Sequence, residues 1–332
     1  MKPIVLALVG PTGVGKTAAS LSIAQQLNAE IISMDSMQVY RGMDIGTAKP
    51  SREERATVAH HLIDVVDPHE RFTTSAYRDL AFQAIEDILA RGKQPLLVGG
   101  TGLYLDAVSY EMSLGVSGAD DEIRNRLRAI AAQADGKKRL HDMLASVDPQ
   151  SAEKLHPNDV RRVMRALEIY ETTGRARSEQ GDERRREGPY RVLVYGLSLP
   201  REQMYARINA RVDAMMAAGL ENEVRALLDA GVSPSVEGGA MQAIGYKEIV
   251  CALRGEISMA CAVDWIKQGS RRYAKRQWTW FRHDSRTKWF DCSLFESPQA
   301  LHEALLMQMQ EDMATYRDGE GDTPEHKADM PV

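Results

Sequence analysis

The residues best suited to chemistry form one short string, Gly10, Pro11, Thr12, Gly13, Val14, Gly15, Lys16 and Thr17. It fits the pattern G-x-x-x-x-G-K-[ST] and sits between an apolar run, Ile4–Val9, and a helical pattern from about Thr17 to Leu27. Strand before and helix after is the context that confirms a P-loop. Glycines there let backbone N–H groups turn inward around phosphate oxygens, and the following helix adds its positive N-terminal end. Lys16 supplies a point charge and Thr17 a hydroxyl ligand for Mg²⁺. The string says phosphate; taken alone it would say ATP.

A P-loop ATPase or GTPase also needs an acid at the end of a core strand to hold Mg²⁺ through water. The apolar strand Pro95–Val98 runs instead into Gly99-Gly100-Thr101-Gly102. The available acid is Asp35, at the end of the strand Glu30–Met34. Ligands of an open parallel sheet bind at the carboxyl ends of its strands, so Asp35 and Thr101 are both expected to face the P-loop. Asp35 there is either a general base for a substrate N–H or O–H, a metal ligand, or a cap for the next segment. Ser36 suits a cap equally well. Thr101 is either a hydrogen-bond donor to substrate or part of a simple turn.

Two basic segments lie far from this string. Residues 267–288 hold eight cations (Lys267, Arg271, Arg272, Lys275, Arg276, Arg282, Arg286, Lys288) against Asp284, with Tyr273, Trp278, Trp280 and Phe281 interleaved. Cations for phosphates and aromatics for bases are what a nucleic-acid surface needs. The same stretch also reads as an amphipathic helix with Val263, Ile266, Tyr273, Gln277 and Trp280 on its core face. A second run holds Arg161, Arg162 and Arg165 on a helix beside Glu168 and Glu171. It continues through Arg175, Arg177 and Arg184–Arg186, the last three among acids in a polar loop.

The elements that must position these groups follow from periodicity. Strand and helix alternate up to about residue 105, with helical spacing of Ala76, Leu80, Ala84 and Ile88, which predicts a parallel sheet with helices on both faces. From Asp121 to Thr173 only helical patterns occur. Strand character returns at Tyr190–Leu197, helices follow over 200–218, 220–230, 242–253 and 258–282, and a last strand, Lys288–Cys292, precedes a helix from Pro298. The fold class expected is α/β, a P-loop NTPase-like parallel sheet flanked by helices, with an inserted all-helical domain. Residues 1–115 and 189–315 make the core, 116–188 the insertion, and 316–332 an acidic disordered tail.

Composition narrows the setting. No apolar run approaches the ~20 residues of a membrane helix, and Ile4–Val9 lacks the cleavage site of a signal peptide, so a cytoplasmic protein without a membrane is expected. Cys251, Cys261 and Cys292 are widely spaced, which indicates neither a disulfide framework nor a zinc site. The net charge of −5 belongs entirely to residues 311–332, where seven acids face Arg317 and Lys327, so the rest of the chain sums to zero.

Several strings together resemble one family, the tRNA dimethylallyltransferases, also called tRNA isopentenyltransferases. Besides the P-loop they are D-S-M-Q-V-Y-R-G-M-D-I-G-T-A-K-P at 35–50, H-H-L-I-D-V-V-D-P at 60–68 and L-V-G-G-T-G-L-Y at 97–104. H-P-N-D-V-R-R at 156–162, A-I-G-Y-K-E at 243–248 and K-R-Q-W-T-W-F-R at 275–282 complete the set, in the family's order over roughly residues 4–292. The resemblance implies transfer of a dimethylallyl group from dimethylallyl diphosphate to N6 of the adenosine at position 37 of tRNA, beside the anticodon. Asp35 then matches the general base. Lys16, Thr17 with Mg²⁺, Thr101 and Arg211 offset charge on the departing diphosphate, with Arg207 one helical turn from Arg211. The family's tRNA-contacting stretches map to Asp35, Ser36, Met37 and Gln38, to Thr101 and Arg124, and to Arg161, Arg162, Val163, Met164 and Arg165. They continue at Gln242, Ala243, Ile244, Gly245, Tyr246 and Lys247, and at Lys275, Arg276, Gln277, Trp278, Thr279, Trp280, Phe281 and Arg282. The inserted helices embrace the anticodon stem-loop in that reading, and one tRNA per monomer needs no dimer. The rival readings are a P-loop small-molecule kinase, which leaves the basic helix idle, and a non-catalytic RNA-binding module with a relic P-loop.

Overall fold

The sheet is built on β1 (Ile4–Val9), whose six residues are all buried, as befits a central parallel strand covered on both faces. In the computed structural model, which describes residues 1–112, 121–180, 186–236 and 238–319, α1 (Lys16–Gln26), β2 (Ala29–Met34), α2 (Arg52–Thr57) and β3 (His60–His61) follow. Then come α3 (Thr74–Ala90), β4 (Gln94–Gly99) and α4 (Gly102–Ser109). A run of four helices follows: α5 (Asp121–Ala131), α6 (Gly136–Val147), α7 (Pro149–Lys154) and α8 (Val160–Thr173). The chain returns through β5 (Arg191–Ser198), α9 (Arg201–Ala217), α10 (Leu220–Asp229), α11 (Tyr246–Leu253), α12 (Met259–Phe281), β6 (Lys288–Asp291) and α13 (Pro298–Arg317).

The six strands run parallel in the order β3-β2-β4-β1-β5-β6, the α/β architecture that the alternation predicts. Register is what makes a site. Met34 and Val9 both pair with Gly99, so β2, β4 and β1 end at one level and release Asp35, Gly100 and Gly10 side by side. Alternate side chains of β1 point to opposite faces. Ile4, Leu6 and Leu8 pack with α1, α9 and α13, while Val5, Ala7 and Val9 pack with α3, α4 and Phe281 at the end of α12. A third apolar cluster joins Val39, Tyr40 and Met43 to α9, α10, α11 and α12.

The chain divides into two compact units, one of residues 1–109 with 189 onward, the other of residues 110–188. The second unit has its own core of Leu127, Leu140, Leu144, Val163, Ala166 and Leu167. The expected boundary at residue 115/116 and Arg184 and Arg185 lie outside the described residues. So do residues 320–332 of the expected tail; α13 itself continues through Arg317, past the predicted start of that tail at 316. Among the described residues no helix is long and apolar enough to cross a membrane.

Candidate active site

The turn from β1 into α1 starts at Gly10, where φ is +138° and a Cβ would stand 2.5 Å from the carbonyl oxygen of Leu197, so only glycine fits. Lys16 opens α1 and folds back over the loop: its Nζ donates to the carbonyls of Gly10 and Pro11, each at 2.8 Å. Burial, helped by the Arg211 charge, pulls the Lys16 ammonium down to about 7, and the charge of Asp35 pulls the other way. Thr17 is exposed in the first turn of α1.

Asp35 leaves the end of β2 and its Oδ1 accepts the N–H groups of Met37 (2.8 Å) and Gln38 (3.3 Å). Turn formation and reactivity therefore do not compete: one carboxylate oxygen shapes the turn, and Oδ2 takes no protein hydrogen bond among the described residues. Gln38 is held in turn, its Oε1 accepting from Ser33 Oγ at 3.1 Å and its Nε2 donating to the carbonyls of Thr47 (3.3 Å) and Ala48 (3.4 Å).

Two cavities open from these groups. One, of about 440 Å³, is walled by the loop residues Thr12, Gly13, Gly15, Lys16 and Thr17, by Asp35, Gly100, Arg207 and Arg211, and by Tyr273 and Gln277. The other, of about 290 Å³, is walled by Thr12, Asp35, Ser36, Met37, Thr47 and Arg211, and by Gln242–Ile244, Lys247, Tyr273 and Arg276. Thr12, Asp35, Arg211 and Tyr273 border both. The two chambers thus open onto one carboxylate, that of Asp35.

Of the two candidate arginines, Arg211 donates to Thr12 Oγ1 at 3.1 Å, and burial lowers its affinity for the proton. Arg207 is exposed and borders the P-loop chamber alone. Thr101 stands behind the wall, outside both linings. Its N–H donates to the Met34 carbonyl at 3.1 Å. Sequence reasoning counted Tyr273 among the basic helix's aromatics without a site role. Burial and the nearby Asp35 charge push its hydroxyl up to about 12, so it stays a neutral donor. Its signal was its place on α12, one turn before Gln277.

Gln277 is a clamp of the loop. It is buried, accepts the Thr12 N–H at 2.9 Å and donates to the Gly100 carbonyl at 3.0 Å, tying the P-loop to the end of β4. Three other aromatics of α12 pack against the protein. Phe281 is fully buried, Trp280 packs on the same core, and the Trp278 ring lies 4.6 Å from that of Trp289. Gln277 and Trp280 lie toward the core, as the amphipathic reading has them, Trp278 and Trp280 stay half-buried, and helical spacing turns 274, 277 and 281 inward. Lys275, Arg276, Thr279 and Arg282 face solvent. Gly245, Tyr246 and Ala243 are buried, Ile244 is half-buried, and Gln242 and Lys247 are exposed.

In the second unit Arg161 and Arg162 are exposed, and Arg162 pairs with Asp159 at 3.4 Å. Arg124 and Arg165 share the buried carboxylate of Glu168 at 2.9 and 3.2 Å. Val163 is fully buried, and Met164, half-buried, packs on the same core. No group of three or more His, Cys, Asp or Glu that could hold a metal occurs among the described residues.

Residues 38–284 match the family model described as IPP transferase. The tRNA dimethylallyltransferase of Halalkalibacterium halodurans is 48% identical over 292 residues, which are 88% of this chain and 92% of that protein. The Bacillus subtilis enzyme of the same name is 47% identical over 290 residues, 87% of this chain and 91% of its own. Among solved structures, the full-length tRNA isopentenylpyrophosphate transferase of Bacillus halodurans superposes with a TM-score of 0.69 at 42% identity, covering 98% of this chain and all of that one. A eukaryotic dimethylallyltransferase acting on tRNA superposes with a TM-score of 0.79 at 29% identity, over 98% of this chain and 82% of that one. With the motifs, the parallel sheet and this breadth of identity in agreement, the chain belongs to the tRNA dimethylallyltransferase family.

Proposed function

We propose that the protein transfers the dimethylallyl group of dimethylallyl diphosphate to N6 of the adenosine at position 37 of tRNA. The observation that carries this reading is the meeting of two chambers at Thr12, Asp35, Arg211 and Tyr273. The diphosphate lies in the P-loop chamber with its C1 carbon toward Asp35. The adenine, turned out of its stack, enters the other chamber. The N6 nitrogen forms the new bond to C1 as the bond from C1 to the diphosphate oxygen breaks, and Oδ2 of Asp35 accepts the proton N6 loses. Products are N6-isopentenyladenosine and diphosphate.

Charge growing on the diphosphate is met by groups already in place. Lys16 turns from the Gly10 and Pro11 carbonyls to phosphate oxygens, and Arg211 reaches in from α9 beside Thr12. The donor set suits Mg²⁺. A lone hydroxyl, Thr17, on a P-loop without a carboxylate cluster matches an ion that takes most of its ligands from substrate phosphates and water. When bound, Mg²⁺ neutralises part of the leaving group's charge. Exposed Lys275, Arg276 and Arg282 on α12 and Lys247 beside the second chamber are the phosphate-contacting cations of this reading, and Arg161 and Arg162 those of the helical unit. The protein works as a cytoplasmic monomer.

The test is to incubate the protein with Mg²⁺, dimethylallyl diphosphate and tRNA, digest the RNA and analyse its nucleosides. N6-isopentenyladenosine is expected, and its loss in Asp35→Ala. ATP consumption without RNA modification would favour a small-molecule kinase, and RNA binding without turnover a binding module.

A further inference from the structure

Glu223, on the first turn of α10, accepts four hydrogen bonds. Its Oε2 takes the backbone N–H groups of Asp44 (2.9 Å) and Ile45 (2.7 Å), and its Oε1 takes the N–H of Gly46 (3.1 Å) and the hydroxyl of Tyr246 (2.6 Å). Three consecutive N–H groups converging on one carboxylate fix a loop as a metal clip would, because charge-assisted hydrogen bonds are the strong ones. The loop must be close to accept this. A Cβ on Gly46 would stand 2.4 Å from the Tyr246 ring, so only a glycine lets the backbone reach both partners.

The loop does not end there. The carbonyls of Thr47 and Ala48, immediately after the clamped residues, receive Nε2 of Gln38, and the Gln38 N–H donates to Oδ1 of Asp35. An unbroken series of contacts thus runs from Tyr246 through Glu223, the 44–48 backbone and Gln38 to the carboxylate bordering both chambers. Lys49 anchors the far end of the loop separately, on Asp44, Asp64 and the Tyr40 carbonyl. From this series we infer that Glu223 is a positioning residue for prenyl transfer, holding Asp35 at the angle at which Oδ2 meets the attacking nitrogen. The inference rests on the reading of Asp35 as the general base. It gives a carboxylate outside both cavity linings a part in the rate, while diphosphate binding, made by residues 10–17 and Arg211, is left alone.

The experiment compares E223Q, D35A and the double variant in the full chain, by single-turnover kinetics with dimethylallyl diphosphate and an anticodon stem-loop RNA. The glutamine keeps the size but faces backbone N–H groups with a neutral amide. Its kcat is expected to fall about 30-fold, the loss of one to two charge-assisted bonds, with KM for dimethylallyl diphosphate within about twofold. Placed in D35A, E223Q is expected to cost nothing further, since the group through which it acts is gone. An equal loss in the D35A background, a raised KM for the diphosphate, or an unchanged kcat overturns the inference. D35A as active as the unmodified protein overturns the role of Asp35 itself, a distinguishable failure. Affinity for Mg²⁺-pyrophosphate reports folding of each variant. Should E223Q fail that check, Y246F removes a single donor from Oε1 and leaves the loop contacts, with about threefold lower kcat expected and the same dependence on Asp35.

Discussion

Lys16 is the residue whose environment makes the sharpest demand. Its ammonium is held near pKa 7 by burial and by Arg211, far below the 10.5 of a free lysine. A lysine depressed in this way penalises the fold most below pH 7, and the penalty fades as pH rises from about 7 toward 10.5. Diphosphate reverses the balance by placing anions beside the ammonium. Binding above pH 7 must therefore take up a proton, and the Kd for Mg²⁺-pyrophosphate is expected to rise toward tenfold per pH unit there. Calorimetry in buffers of different ionisation enthalpy counts that proton; a pH-independent Kd between 7 and 9 would contradict it. At Asp35 the proposed role as base predicts that Asp35→Ala lowers kcat by about 10²–10⁴ with little change in diphosphate affinity. Single-turnover rates and pyrophosphate binding, measured together, check the pair of statements.

Helix α12 is the element whose outline is legible in the sequence and whose individual contacts are not. Its cations and amphipathic spacing were both legible, because both are local patterns. Its rings leave two readings open, a stacking surface or a core face; Phe281 fills the core and Trp278 rests on Trp289. Gln277, within the stretch that the resemblance assigns to tRNA, clamps Thr12 across 265 residues of chain. Contacts of that separation leave no trace in periodicity, and the same is true of Glu223 and the 44–46 loop. The P-loop was legible because all of it is contiguous, and Asp35 because a strand end is easily found. The structural reading of α12 predicts that Phe281→Ala costs about 3–5 kcal/mol of stability, measured by denaturant unfolding. Gln277→Ala, by contrast, is expected to raise the Kd for pyrophosphate roughly tenfold, by releasing the loop from Gly100.

Across the whole molecule, charge is distributed by task. The acidic excess lies in residues 311–332, and the body of the chain is neutral, so RNA affinity must come from local clusters rather than net charge. If Lys247, Lys275, Arg276 and Arg282 contact phosphates, stem-loop affinity falls steeply between 50 and 200 mM salt. Each cation removed to alanine then lowers the slope of log K against log[salt] by roughly 0.7–0.9. Filter binding at several salt concentrations reads the slope directly; an unchanged slope would move the RNA surface elsewhere.

The proposed function gives the P-loop a departing diphosphate to hold rather than a nucleotide to be cleaved. The most direct test counts products. Dimethylallyl diphosphate labelled in both the prenyl group and the phosphates is supplied with tRNA and Mg²⁺, and diphosphate release is compared with N6-isopentenyladenosine formed. One diphosphate per modified adenosine is expected, with no release without RNA and no requirement for ATP. Release uncoupled from RNA modification, or turnover that needs ATP, would contradict it.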